Sequence, residues 1–191
     1  MKIEILQEKN HLRFLRIYFL IIILVLSRPA ISAAGEPYVT QEYKVKAAFV
    51  YNFSLFVDWP SGAYNGQNTP FVICVLGKHA FGNTFDNLAG KMIKKRALKI
   101  QHATDIKNIG NCQILYICMS ERMRLAEIIA ATEKRSILTI SDMPGFNRAG
   151  GIINLVNVED KIRFDINMKA AKQSGLSLNF QLLNMAHDVT N

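Results

Sequence analysis

The run Phe71-Val72-Ile73-Cys74-Val75-Leu76 constrains the fold more than any other stretch of this 191-residue chain. It is six residues long, rich in β-branched side chains and closed by Gly77, so it reads as a strand and not as a helix. Its side chains are apolar on both alternating faces, and such a strand needs cover on both sides, as in a parallel sheet between helices.

The rest of the chain repeats the theme. Leu98 to His102 alternates, Gln113 to Met119 is nearly all apolar, and Ser136 to Ser141 is a further strand. Helical stripes lie between or before them. Gln41 to Val57 carries Val45, Ala48, Phe49, Asn52, Phe53 and Phe56 at helical spacing with Thr40 as its cap, Phe81 to Leu88 forms a short helix, and Arg122 to Glu133 has a stripe through Met123, Ala126, Ile129 and Ala130. Pro60 ends the first helix by forcing Trp59 into an extended conformation. Alternation of this kind predicts an α/β domain of Rossmann-like, doubly wound type, a mostly parallel sheet flanked by helices.

The alternation breaks near the end. Ile152 to Val156 and Lys161 to Ile166 are joined by Asn157-Val158-Glu159-Asp160, too short a link for a parallel crossover, so a mixed sheet ends in an antiparallel hairpin. Ala170 to Ala186, interrupted at Gly175, is predicted as a C-terminal helix on the sheet.

Residues 1–34 differ from the rest. Lys9, Arg13 and Arg16 precede the ten-residue apolar run Ile17 to Leu26, and Pro29 leads to Ser32-Ala33-Ala34. A bilayer-spanning helix needs about 20 apolar residues and a secretory signal core about 7 to 15, so a cleaved signal peptide is expected, with the cut after Ala34 or, alternatively, after Ser32. The expected mature domain is 35–191, in the periplasm. Removing Lys2, Lys9, Arg13, Arg16 and Arg28 against Glu4 and Glu8 takes the net charge from +8 to +5. A mildly basic exported domain is no candidate for nucleic-acid binding.

Cys74, Cys112 and Cys118 stay in the mature chain, in a compartment where disulfides persist. The odd count leaves one unpaired, and Cys118, inside an apolar run, reads as a buried thiol, so Cys74 with Cys112 is the favoured pair.

No pattern of catalysis or cofactor binding stands out. No two of His11, His79, His102 and His187 have the spacing of a helical zinc site, and no serine sits in a Gly-x-Ser-x-Gly turn. Gly145-Phe146-Asn147-Arg148-Ala149-Gly150-Gly151-Ile152 starts like a phosphate-binding loop but lacks the required lysine and hydroxyl, so Gly150-Gly151 reads as a tight turn into the next strand. Candidate partner-binding residues are Tyr51 and Trp59, from an aromatic surplus on the first helix and its exit that cannot all be core, and Lys94, Lys95 and Arg96 in the densest basic cluster. A small-ligand site at the carboxyl ends of the strands, near Gly77, Ser120 and Ser141-Asp142, is the alternative.

Several blocks occur in one order: Tyr43-Lys44-Val45-Lys46-Ala47-Ala48-Phe49-Val50-Tyr51-Asn52-Phe53 to Trp59-Pro60, Ile73-Cys74-Val75-Leu76-Gly77, Cys112-Gln113-Ile114-Leu115-Tyr116-Ile117, Ile137-Leu138-Thr139-Ile140-Ser141-Asp142, Gly150-Gly151-Ile152-Ile153-Asn154-Leu155-Val156, and Ile162-Arg163-Phe164-Asp165-Ile166-Asn167. Leu182-Leu183-Asn184-Met185-Ala186 closes the series. With these blocks the mature chain resembles the YfiR-like family. The resemblance implies a periplasmic regulator without catalytic activity that represses an inner-membrane diguanylate cyclase through its periplasmic sensor domain. It also implies sequestration by a peptidoglycan-binding outer-membrane lipoprotein, a homodimer, and a Cys74–Cys112 disulfide. A second family disulfide has no counterpart, since Ile140 to Ile152 holds no cysteine.

Overall fold

In the computed structural model, residues 38–66, 68–78 and 81–191 are described, so the expected signal peptide, its cleavage sites and His79 lie outside them. Helix α1 (Tyr38–Phe56) contains Thr40, which is therefore not its cap, and runs straight into the two-residue strand β1 (Val57–Asp58). Strand β2 (Phe71–Leu76) has the predicted bounds. The hairpin β3 (Met92–Ile93) to β4 (Arg96–Ala103) is followed by β5 (Ile114–Ile117), helix α2 (Leu125–Thr132) and β6 (Leu138–Ser141). Then come β7 (Ile153–Val158), β8 (Lys161–Asn167), α3 (Met168–Gln173), β9 (Ser177–Leu178), α4 (Phe180–Met185) and β10 (Asp188–Thr190).

Eight strands form one mixed sheet in the order β10-β8-β7-β6-β5-β2-β4-β3. Its centre, β4-β2-β5-β6-β7, is parallel throughout. Renumbered along the chain, those five strands stand in the order 2-1-3-4-5, the flavodoxin-like doubly wound pattern, with the switch point between β2 and β5. The predicted hairpin is present: β7 pairs antiparallel with β8, and Glu159 and Asp160 form its two-residue turn at φ 50° and 57°. Both central residues at positive φ is the primed-turn geometry whose twist matches that of the strands.

Alternating side chains on each strand build two cores. Phe71, Ile73, Val75, Ile114, Tyr116, Leu138, Ile140, Ile153, Leu155, Phe164 and Ile166 face α1 and its Ala47, Val50 and Phe53. Cys74, Leu76, Leu115 and Ile117 face the other way, against Ile128 of α2 and Met143 and Phe146 of the loop after β6.

Three further expectations are corrected. No α-helix spans Phe81 to Leu88; Gly82 takes φ +52°, outside the right-handed helical region, and only Asp86–Leu88 makes a 3-10 turn. The helix expected from Arg122 starts at Leu125 after a 3-10 segment, Met119–Arg124, and it buries Ile128 and Thr132 while Met123 is 94% exposed. The C-terminal helix is two short ones, because Gly175 at φ +68° stops α3 and β9 then pairs antiparallel with β1. Last, β10 adds an unpredicted edge strand parallel to β8.

Gly150 and Gly151 serve as expected. Gly150 adopts φ +99°, and a Cβ on Gly151 would lie 2.1 Å from the Phe146 ring, so this corner exists only because the side chain is absent.

Candidate functional site

Helix α1 is apolar around most of its circumference, so it has more apolar surface than the sheet can cover. The face that goes inward carries Lys46, Ala47, Val50, Phe53 and Ser54. Most of the stripe expected to be core faces outward: Val45 is 41% exposed, Ala48 and Asn52 are exposed, and Phe49 and Phe56 are half-buried. Leu55, at 45%, lies on the same side.

This outer face forms one wall of a groove. Phe49, Leu55 and Phe56 of α1 oppose Ile162 of β8 and Met185 of α4 across a cavity of about 830 Å³, with Lys161 and Arg163 on its rim. A second cavity of about 490 Å³ continues it past Phe49 to Val45 and Glu42. Phe180 and Met185, 72% and 49% exposed, extend the apolar surface at the α4 end. A contiguous exposed apolar patch rimmed by polar residues marks an interaction site or a ligand groove. Periodicity could not find it, because both faces of α1 carry apolar residues at helical spacing.

The residues expected to bind a partner gather elsewhere, around the β3–β4 hairpin. Its turn is Lys94-Lys95, at φ 46° and 70°, in place of the usual Asn or Gly. Lys94 Nζ donates to the Val57 carbonyl at 2.5 Å, pairs with Asp58 and lies over the Trp59 ring at 5.8 Å. Arg96 Nη1 donates to the Thr69 carbonyl at 2.7 Å and the Gly66 carbonyl at 3.0 Å, and its guanidinium stacks on Tyr64 at 4.1 Å. Tyr51, half-buried, donates its hydroxyl to the Met92 carbonyl at 3.3 Å. Trp59 is 9% exposed and donates Nε1 to the Gln113 carbonyl at 3.1 Å, so it is a core side chain. The fold thus brings Tyr51, Trp59, Lys94 and Arg96 together and uses their polar groups internally, while Lys95 is exposed.

All three cysteines are buried free thiols, so the expected Cys74–Cys112 disulfide is not formed in this structure. Cys74 donates to the Ile109 carbonyl at 3.3 Å. The Cys112 thiol is pushed well above its usual range, first by its hydrogen bond to Cys74 and then by burial, so the two side chains are direct neighbours. Cys118, set apart from them, is pushed up to about 12 by burial and by the nearby Asp142 and Glu121 carboxylates.

At the switch point the carboxyl end of β2 is filled. A Cβ on Gly77 would lie 2.4 Å from Ser120 Oγ and 2.6 Å from Glu121 Oε1, and Ser120 Oγ accepts the Lys78 amide at 2.9 Å. Next to it, on the α1 side, is a buried charge cluster that sequence reasoning missed. Lys46 Nζ is 2.6 Å from both Glu42 and Asp142 and 4.6 Å from the Tyr43 ring centroid. Burial alone would lower the Lys46 pKa, but the hydrogen bonds to Asp142 and Glu42 outweigh it and hold it above the ordinary lysine value. The Tyr116 hydroxyl is buried without a hydrogen-bond partner among the described residues, and burial followed by the Asp142 charge pushes its ionisation upward.

Comparison with known proteins bears on what this arrangement serves. No curated protein matches the chain. A conserved domain protein from Vibrio cholerae O1 biovar eltor superposes with a TM-score of 0.45 at 12% identity, covering 80% of this chain and 60% of that one. The ABC domain in complex with L-Trp from Streptococcus pneumonia gives 0.46 at 10% identity, covering 63% and 55%. The chain therefore spans less than two thirds of either structure's length. The YfiR/HmsC-like family model matches residues 43–187, a stretch that takes in most of α1, the whole parallel centre of the sheet, the β7–β8 hairpin and both walls of the groove. By that match the chain belongs to the YfiR/HmsC-like family.

Proposed function

We propose that this protein is a regulatory binding protein that uses the groove beside α1 to dock on the periplasmic sensor domain of a membrane-anchored diguanylate cyclase and hold that cyclase inactive. Membership in the YfiR/HmsC-like family, whose members are periplasmic regulators of such cyclases, supports the reading. The observation that carries it is the outward apolar face of α1, with Leu55 45% exposed in a groove lined by Lys161 and Arg163 and Val45 41% exposed in the cavity that continues it. In this reading residues 1–34 are cleaved on export, and cyclic di-GMP and biofilm growth fall while the protein is bound. A peptidoglycan-binding outer-membrane lipoprotein relieves repression by sequestering the protein, and the protein itself works as a homodimer.

The docked protein must prefer one state of the sensor. A preference of about 1.4 kcal/mol shifts the sensor equilibrium tenfold, which a few well-packed apolar anchors supply.

Cellular cyclic di-GMP tests the proposal, measured in a strain lacking the gene and in the same strain given either the full chain or a version without residues 2–34. The expected result is a rise on deletion that only the full chain reverses. An unchanged level, or reversal by the leaderless version, would overturn it.

A further inference from the structure

Residues 35–191 carry a net charge of +5, and all of that excess lies in one short stretch. Lys91, Lys94, Lys95, Arg96 and Lys99 stand within nine residues that hold no acid, and across the rest of 35–191 basic and acidic residues balance. The stretch is the β3–β4 hairpin with the residue before it, and β3 is an edge strand of the sheet.

Register decides what that corner presents. Met92 stands opposite Ala97, and Lys99 follows two positions along β4, so the three share the sheet face turned away from α1, while Ile93 and Leu98 enter the α1 core. The core on the other face takes Val72 of β2, but only the last residue of β4, Ala103, and no residue of β3. The corner is therefore uncovered. Met92 is 56% exposed, and Ala97 and Lys99 are exposed beside it. Lys95 is exposed in the turn, and Lys91, exposed at the start of β3, lies over the Tyr51 ring at 5.3 Å.

Not all five cations are free. Asp58 neutralises Lys94, and Arg96 directs its guanidinium to the Gly66 and Thr69 carbonyls. Lys91, Lys95 and Lys99 remain, with no ion-pair partner among the described residues. An arginine fork reads the fixed geometry of a carboxylate, whereas a lysine is a point charge on a flexible stem that follows a diffuse negative field. Three such charges around one exposed thioether side chain, on an open sheet face, suit anionic headgroups with acyl chains beneath them.

We propose that the β3–β4 corner rests on a bilayer, with Lys91, Lys95 and Lys99 at the phosphates of anionic phospholipids and Met92 at the acyl boundary. This role rests on the export in the reading above, which brings the chain to such a surface, and not on what docks in the α1 groove. Each lysine near an anionic surface strengthens binding about fivefold, so the three together give about a hundredfold. That is weak alone and effective as a second attachment for a protein also held by a membrane-anchored partner.

Sedimentation with sucrose-loaded vesicles tests this, using protein recovered from the periplasm of cells expressing the full chain. The vesicles are phosphatidylcholine alone or with about one third phosphatidylglycerol. Binding is expected to the anionic vesicles only, weakening at least about fivefold between about 0.05 M and about 0.5 M salt. Lys95→Gln should lose about fivefold, and Lys95→Gln with Lys99→Gln about 25-fold, at unchanged melting temperature. Lys172→Gln, the same charge change at the end of α3, should lose less than about twofold. Lysines on an edge strand also blunt pairing with other sheets, and that role alone gives no vesicle binding. Absence of binding to anionic vesicles, equal binding to phosphatidylcholine, or an equal loss in Lys172→Gln would each overturn the proposal. Retention on immobilised polyglutamate without vesicle binding would overturn it in favour of an acidic protein. No cyclase is present in these assays, so their failure leaves the groove reading standing, and an unchanged cellular cyclic di-GMP level leaves vesicle binding standing.

Discussion

Lys46 Nζ lies 2.6 Å from a carboxylate oxygen of Asp142, a residue 96 positions further along the chain, and so ties the first half of α1 to the carboxyl end of β6. Lys46 is 6% exposed, and Glu42 closes the other side of the ammonium at 2.6 Å. Removing one member of a buried ion pair strands the other, so Lys46→Met is expected to lower the unfolding free energy in urea by about 3 kcal/mol, and Lys46→Met with Asp142→Leu to restore part of it.

The same pair sets an alkaline limit. Because the Lys46 pKa is raised on folding, the folded state holds the proton more tightly than the unfolded chain. Its contribution is therefore complete below the unfolded lysine pKa of about 10.4 and is lost as pH rises through the higher folded value. Urea unfolding of the wild type should weaken in that window more than Lys46→Met does, and parallel pH profiles would show that the pair adds no stability.

Gly151→Ala should cost about 3 kcal/mol, since the new methyl meets the buried Phe146 ring at 2.1 Å and neither backbone nor ring has room to yield. Gly62→Ala is the control. Nothing among the described residues lies within 4 Å of its Cβ position, so thermal unfolding should move by no more than about 0.5 kcal/mol.

Leu55→Asp puts a charge into the groove at a position already 45% exposed. Stability should change by less than about 1 kcal/mol. Affinity for the cyclase sensor domain, read by calorimetry, should fall at least about tenfold, with cellular cyclic di-GMP rising in step. Lys95→Glu addresses the hairpin instead; if that variant loses affinity and Leu55→Asp does not, the docking face is at Lys95 and the groove assignment fails.

Cys74 and Cys112 sit side by side while Cys118 stands apart. Both are free thiols in this structure, and the resemblance implies that export oxidises them to a disulfide, in which case protein taken from the periplasm, denatured without reductant and alkylated, takes one label per chain, at Cys118. Dithiothreitol should expose all three thiols and lower stability by about 4 kcal/mol on the chain-entropy account. Three labels without reductant would reject the bond.

The strands were legible because short apolar runs bounded by Gly or Pro have few other uses, and Phe71 to Leu76 begins and ends where its pattern does. Helices were less so. Gly82 adopts positive φ at the start of a segment that apolar spacing reads as helix, and Gly175 does so just after α3, which the spacing alone would continue. The stripe through Met123, Ala126 and Ala130 looked like core because α2 is rich in apolar residues on several sides, yet the sheet takes Ile128 and leaves Met123 in solvent. The basic cluster was visible as a charge feature, but that Lys94 and Arg96 spend their donors on Val57, Gly66 and Thr69 depends on the hairpin that carries them there.

From the sequence alone follow the α/β class, the central strand runs, the β7–β8 hairpin and the family, because these rest on local periodicity, on the shortness of one connection and on short ordered blocks. Tertiary structure decided which face of α1 is core and which lines a groove, that Lys46 is buried, and that the outer face of the β3–β4 corner stays uncovered. Those outcomes depend on which residues meet across the fold, often about a hundred positions apart, and a side chain's neighbours there determine whether burial stabilises it or leaves it for a partner.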